Sequence, residues 1–140
     1  MILIDTGPLV ALVDQRDKEL HQQVGALVQS LPPPLLTTWP CLTESLYLLG
    51  QLSAWAGQAR LRTYLASGIV KVHQPEPNEW ERAFALMEQY QDTPMDFADA
   101  SLVALAEQSG IRQILTLDSD FYFYRIHGKE MFEVIALPTA

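Results

Sequence analysis

Met1-Ile2-Leu3-Ile4-Asp5-Thr6-Gly7-Pro8-Leu9 opens the chain. Four apolar residues run straight into a carboxylate, and Gly7-Pro8 then marks a turn. This order predicts a short buried strand that delivers Asp5 at its carboxyl end. Pro8 suits the first turn of a following helix, with Leu9, Val10, Leu12 and Val13 along it.

The same alternation of strand and helix continues outward from this stretch. Lys18–Leu31 repeats Leu20, Val24, Leu27 and Val28 at a helical period, and Pro32-Pro33-Pro34 stops it. Leu35–Thr37 reads as a second strand. A helix then opens at Thr38 and Pro40 and runs to about Leu52, and another spans about Gln58–Ala66 after Gly57. Ile69–His73 is a third strand. The helix Asn78–Gln91 carries Trp80, Ala83, Phe84, Met87 and Tyr90 on a stripe that reads as packing. A helix over Phe97–Ser109 ends at Gly110, a strand covers Ile114–Leu117, and Phe132–Ile135 is the last strand. The expectation is an α/β fold with a mostly parallel central sheet flanked by helices, built as one domain over residues 1–140.

Composition narrows the class further. Nine Lys and Arg stand against seventeen Asp and Glu, a formal net charge of −8. So acidic a chain has no large basic surface with which to grip nucleic acid by charge alone. The charge is uneven: residues 1–70 carry a net −1 and residues 71–140 a net −7. From Leu20 to Ala59 the single formally charged side chain is Glu44, so this segment is expected to be largely buried. Cys41 is alone, which rules out an internal disulfide or a cysteine zinc site and fits a reducing cytoplasm. The opening lacks a basic region of the secretory kind, and no run of about 18 apolar residues is present to span a bilayer.

The acids are placed where α/β folds build sites, at strand ends and helix starts. Asp5 and Asp118 each follow a strand, Asp120 stands two residues beyond Asp118, and Asp96 and Asp99 straddle the start of a helix. Each has an ordinary reading as a turn or cap residue. Glu44 is harder to explain so, because a carboxylate in a buried segment needs a partner or a cation. Gathered together, these groups would repel unless a cation neutralised them. Carboxylates without nearby His or Cys are hard ligands suited to Mg²⁺ or Mn²⁺. Mg²⁺ retains waters, one of which can serve as a nucleophile, while a second ion steadies the leaving oxygen of a phosphodiester. Phosphatases and response-regulator receivers also place Asp at strand ends, so spacing alone leaves these classes open.

Four segments in order decide among them. Ile2-Leu3-Ile4-Asp5-Thr6, Leu42-Thr43-Glu44-Ser45, Asp99-Ala100-Ser101-Leu102 and Leu115-Thr116-Leu117-Asp118-Ser119-Asp120-Phe121 together resemble the PIN domain, the small ribonuclease fold of VapC-type toxins. The resemblance spans nearly the whole chain and implies the PIN-like three-layer architecture. It implies that Asp5, Glu44, Asp99 and Asp118 are the catalytic, metal-binding acids, with Asp96 and Asp120 as further candidates. Thr6 and Thr116 match hydroxyl residues that orient those acids. Arg125 and Arg62 are the candidates to meet substrate phosphate, with a surface ion pair as the alternative for Arg125. His21, His73 and His127 lack metal-like spacing and read as surface or edge residues. In Phe121-Tyr122-Phe123-Tyr124, part must pack on the sheet and part suits a partner contact.

The function implied is a Mg²⁺/Mn²⁺-dependent endoribonuclease, the toxin of a toxin–antitoxin pair, acting on RNA as a cytoplasmic homodimer with an antitoxin partner and no membrane. The alternatives are a free-standing PIN nuclease in RNA processing, and a PIN-like module that binds RNA or protein without cutting. A phosphohydrolase with Asp5 as covalent nucleophile is less consistent, because Gly7 holds the place of its usual second Asp. On the leading reading, two divalent ions would take −8 to about −4 and make the cleft attractive to phosphate.

Overall fold

A computed structural model describes residues 1–138. Five parallel strands form the central sheet in the order β3-β2-β1-β4-β7. They are β1 (Ile2–Ile4), β2 (Leu35–Thr37), β3 (Val70–Val72), β4 (Gln113–Leu115) and β7 (Glu133–Ile135). The helices are α1 (Thr6–Ala11), α2 (Lys18–Ser30), α3 (Trp39–Ala66), α4 (Pro77–Gln89) and α5 (Phe97–Ser109). Strand alternation explains the two apolar layers. Leu3, Leu36 and Ile114 point into a cluster with α4 and α5, including Leu86, Leu102 and Leu105. Ile2, Ile4, Leu35 and Leu115 point the other way, onto Leu9 and Leu12, Val24 and Val28 of α2, and Leu49 and Leu61 of α3. β1 and β2 are buried at every position, as a sheet covered on both faces requires.

Several expectations are corrected. α1 starts at Thr6 with Asp5 as its N-cap, so the carboxylate ends the strand and begins the helix at once. The two expected helices between residues 38 and 66 join into α3, with a break at Ala54 (φ 53°, ψ −144°) rather than near Gly57. Gln58 Nε2 bridges the break by donating to the Leu46 carbonyl at 3.0 Å, and a side chain at Gly57 would displace the Ser53 hydroxyl. The uncharged stretch is not largely buried, for α3 exposes Trp39, Tyr47, Leu48 and Trp55. The α4 stripe is not all core either. Ala83 and Leu86 are the buried residues that face α5, whereas Trp80 and Phe84 lie at the edge of that face, 52% and 55% exposed.

After β4 the chain makes a 3₁₀ turn (Ser119–Tyr122) and an antiparallel hairpin of β5 (Arg125–Ile126) and β6 (Glu130–Met131). The hairpin turns through His127 and Gly128, both at positive φ. Two-residue strands leave too little alternation to read in the sequence. The aromatic run divides by turn geometry: Phe121 and Tyr124, three apart, are fully buried and stack edge-to-face at 5.2 Å, while Tyr122 and Phe123 are exposed.

Candidate metal centre

The carboxyl edge of the sheet collects the acids. Asp5 leaves β1 and caps α1, Asp99 is the third residue of α5, and Asp118 caps the 3₁₀ turn after β4. One carboxylate oxygen from each of these three lies within 4.8 Å of the others.

Each member is held by short bonds. Asp5 Oδ1 accepts from the Thr6 amide at 2.7 Å and Oδ2 from the Thr116 hydroxyl at 2.8 Å. The Thr116 hydroxyl oxygen also accepts from the Asp118 amide at 3.0 Å, so one side chain ties two acids. Asp118 Oδ1 accepts from the Asp120 amide at 2.9 Å. Asp99 Oδ2 accepts from the Tyr124 phenol at 3.2 Å, and the Asp99 amide donates to Asp96 Oδ1 at 2.8 Å.

Burial sets the electrostatics. Asp5 is 6% exposed and Asp99 8%. Desolvation pushes Asp5 up to about 6, against the Thr116 and Thr6 bonds and with the charges of Asp118 and Glu44 adding to the rise. Burial, then the charges of Asp96, Asp5 and Asp118, push Asp99 up to about 8 although Tyr124 opposes them. Such a cluster either keeps protons or takes a cation. Three carboxylates converging without an imidazole or thiolate fit a hard divalent ion held by oxygen. Thr6 Oγ1 is buried beside them with no hydrogen-bond partner among the described residues.

The other expected residues stand differently. Glu44 lies outside the trio on a half-buried turn of α3, close enough for its charge to reach Asp5. Asp96 is the exposed N-cap of α5, and Asp120 sits in the 3₁₀ turn. Arg125 Nη1 donates to the carbonyls of Tyr122, Phe123 and Tyr124 at 2.9, 2.9 and 3.2 Å, and Arg125 forms no ion pair among the described residues. Arg62 is exposed on the last turns of α3. His21 Nδ1 bonds the Ala11 carbonyl at 2.8 Å.

Two further residues shape the centre and have no signal of their own in the sequence. Tyr124 orients Asp99, and its place one 3₁₀ turn after Phe121 is the clue that it turns inward. Cys41 forms the floor, with Sγ 3.9 Å from Asp5 Oδ1 and 3.8 Å from the Ala98 carbonyl. Burial and the Asp5 charge push its thiol up to about 12, so it stays protonated and inert.

With this geometry in hand, the comparisons with known proteins agree. The PIN domain model matches residues 2–128. Ribonuclease VapC26 of Mycobacterium tuberculosis is 30% identical over 135 residues, covering 96% of this chain and 99% of that protein. The chain belongs to the PIN domain family. Two solved structures share its fold. Mycobacterium tuberculosis VapC20, a Sarcin-Ricin loop cleaving toxin, superposes with a TM-score of 0.77 at 23% identity, over 86% of this chain and 92% of that one. A toxin–antitoxin complex from Klebsiella pneumoniae gives 0.65 at 20% identity over 97% of each chain.

Proposed function

We propose that the chain is a single-domain endoribonuclease that depends on Mg²⁺ or Mn²⁺ and serves as the toxin of a toxin–antitoxin pair. The observation that carries this reading is the convergence of Asp5, Asp99 and Asp118 at the carboxyl edge of a parallel sheet, with two of them held well above the ordinary carboxylate range. Asp5, Asp99 and Asp118 hold the cation, and Glu44 closes the site from α3. When bound, the cation supplies positive charge for the phosphate and a means of activating water. Thr116 fixes the Asp5 carboxylate against the backbone of Asp118, whose own carboxylate the Asp120 amide holds, and Tyr124 fixes Asp99. Asp96 and Asp120 shape the field around these ligands.

The partner reading rests on the exposed Leu48 and Trp55 of α3 and on Tyr122 and Phe123. Such surface suits a second copy of the chain and an antitoxin. A buried, unpaired Cys41 fits action in the cytoplasm, and among the described residues no helix is long and apolar enough to cross a membrane.

Purified protein incubated with a mixed RNA pool tests the activity. Cleavage that appears with Mg²⁺ or Mn²⁺ and stops with EDTA is expected. An intact pool under both metals contradicts the assignment.

A further inference from the structure

Away from Asp118, strands β1, β2 and β3 end in turn at Asp5, Thr38 and His73. Neighbouring strands stand about 4.8 Å apart, so His73 lies roughly 10 Å along the edge from Asp5. A groove of about 860 Å³ opens over this part of the edge. Its inner end is Glu44 and Asp96, whose charges reach Asp5 and Asp99. Its walls are aromatic: Trp39 and Tyr47 from α3, Trp80 from α4 and Phe97 from α5.

The polar groups are few and fixed. His73 Nε2 lies 3.0 and 2.8 Å from the two oxygens of Glu79, which is buried and also accepts from the Glu76 amide at 3.1 Å. A carboxylate only accepts, so Nε2 carries the proton. His73 is part of the groove lining, and its Nδ1 has no hydrogen-bond partner among the described residues. No Lys or Arg lines the groove, while Glu44, Asp96 and Glu79 do. A phosphate gains nothing here. A neutral, flat base gains stacking on every aromatic wall and finds in His73 Nδ1 a hydrogen-bonding group for its edge.

We propose that this groove is a nucleobase subsite, which stacks an unpaired RNA base beside the scissile phosphate on Trp39 and Trp80, with His73 Nδ1 reading its edge. The inference rests on reading the acid trio as the place of RNA cleavage and adds how the substrate is held. An acidic protein can then bind RNA with few cations, since single strands are taken by stacking as well as by charge. Glu79 acts through His73 as a positioning residue, holding the ring by Nε2 so that Nδ1 is left for the base.

The test is fluorescence anisotropy of an end-labelled, unstructured eight-nucleotide RNA and of the same oligomer with abasic residues, with Ca²⁺ in place of the catalytic ions. The protein should bind the RNA about tenfold or more tighter than the abasic oligomer. Trp39→Ala and Trp80→Ala should each remove about tenfold of the RNA affinity and leave abasic binding unchanged. Trp80→Phe should restore most of it, which a merely structural role would not produce. His73→Ala should reduce discrimination among homopolymeric oligomers more than total affinity. Equal or undetectable binding of the two oligomers, or alanine variants that bind RNA like the parent, overturns the proposal; a groove built for an apolar helix of a protein partner gives that result. Base-dependent binding without cleavage under Mg²⁺ or Mn²⁺ would remove the nuclease reading and leave the subsite standing. Cleavage without base dependence would do the reverse.

Discussion

The Thr116 hydroxyl donates to Asp5 Oδ2 at 2.8 Å across 111 positions of sequence. Because the same oxygen accepts from the Asp118 amide, the ends of β1 and β4 are locked together where the acids meet. This follows from the parallel pairing of Ile4 with Leu115, which places the residue after each strand side by side. Thr116→Val keeps the shape and removes the bond. Cation affinity should fall about 10- to 100-fold, measured by Mn²⁺ titration calorimetry, and Thr116→Ser should recover most of it. Unchanged affinity in the valine variant would mean that Thr116 does not orient Asp5.

The raised carboxyls make stability depend on pH in a defined direction. Without a cation the folded protein holds protons on Asp5 to about pH 6 and on Asp99 to about pH 8, against an ordinary value of 3.8. Across that window the folded state binds more protons than the unfolded chain, so its stability is greatest at the acid side and falls as pH rises through both values. Thermal melts in EDTA should therefore show Tm decreasing from about pH 5 to about pH 8.5. Saturating Mn²⁺ should reverse the trend, because binding requires the deprotonated carboxylates and favours the folded state. A Tm that climbs over the same range in EDTA contradicts the burial argument.

Asp99 carries the larger of the two upward shifts and sits beside Asp96, Asp5 and Asp118. Removing its charge relieves repulsion that a bound proton or a cation otherwise relieves. Asp99→Asn should stabilise the cation-free protein at pH 8 by on the order of 1 kcal/mol, while losing Mn²⁺ binding. Denaturant melts with and without Mn²⁺ check both halves of this trade.

Stability elsewhere should be separable from the centre. Glu107, nearly buried, accepts from Arg82 Nε at 2.7 Å, from Arg82 Nη2 at 3.1 Å and from the His127 amide at 2.8 Å. This joins α4 and α5 to the hairpin. Arg82→Ala strips two of three donors from a carboxylate with little access to water. It should cost about 1–3 kcal/mol in denaturant melts and leave Mn²⁺ affinity unchanged. Loss of metal binding in that variant would show that the hairpin and the centre are coupled.

The parts of this molecule legible in the sequence were those written in short, local patterns. An apolar run ending in Asp, an Asp three residues before another at a helix start, and Gly110 at a helix end each fix their own backbone within a few residues. Those patterns yielded the strands, the order of the elements and the acids at their ends. What escaped depends on partners distant in sequence. Trp80 and Phe84 keep the helical period of Ala83, yet α5 covers only part of that face. The uncharged α3 stretch lacks charge and is nonetheless exposed, since absence of charge marks apolar surface whether it faces the core or a binding groove. Arg125 donates to three carbonyls at and just after the 3₁₀ turn, a local contact that no sequence period signals. Tyr124 is bonded to Asp99 only because the turn after Asp118 folds back over α5.

The most direct test of the central claim is single-turnover cleavage of RNA by the parent protein and by Asp5→Asn, each with Mn²⁺ and with EDTA, after circular dichroism has shown the two folds to be alike. The parent should cleave with Mn²⁺, and Asp5→Asn should not cleave above the EDTA control. Equal cleavage by the two proteins would contradict that claim.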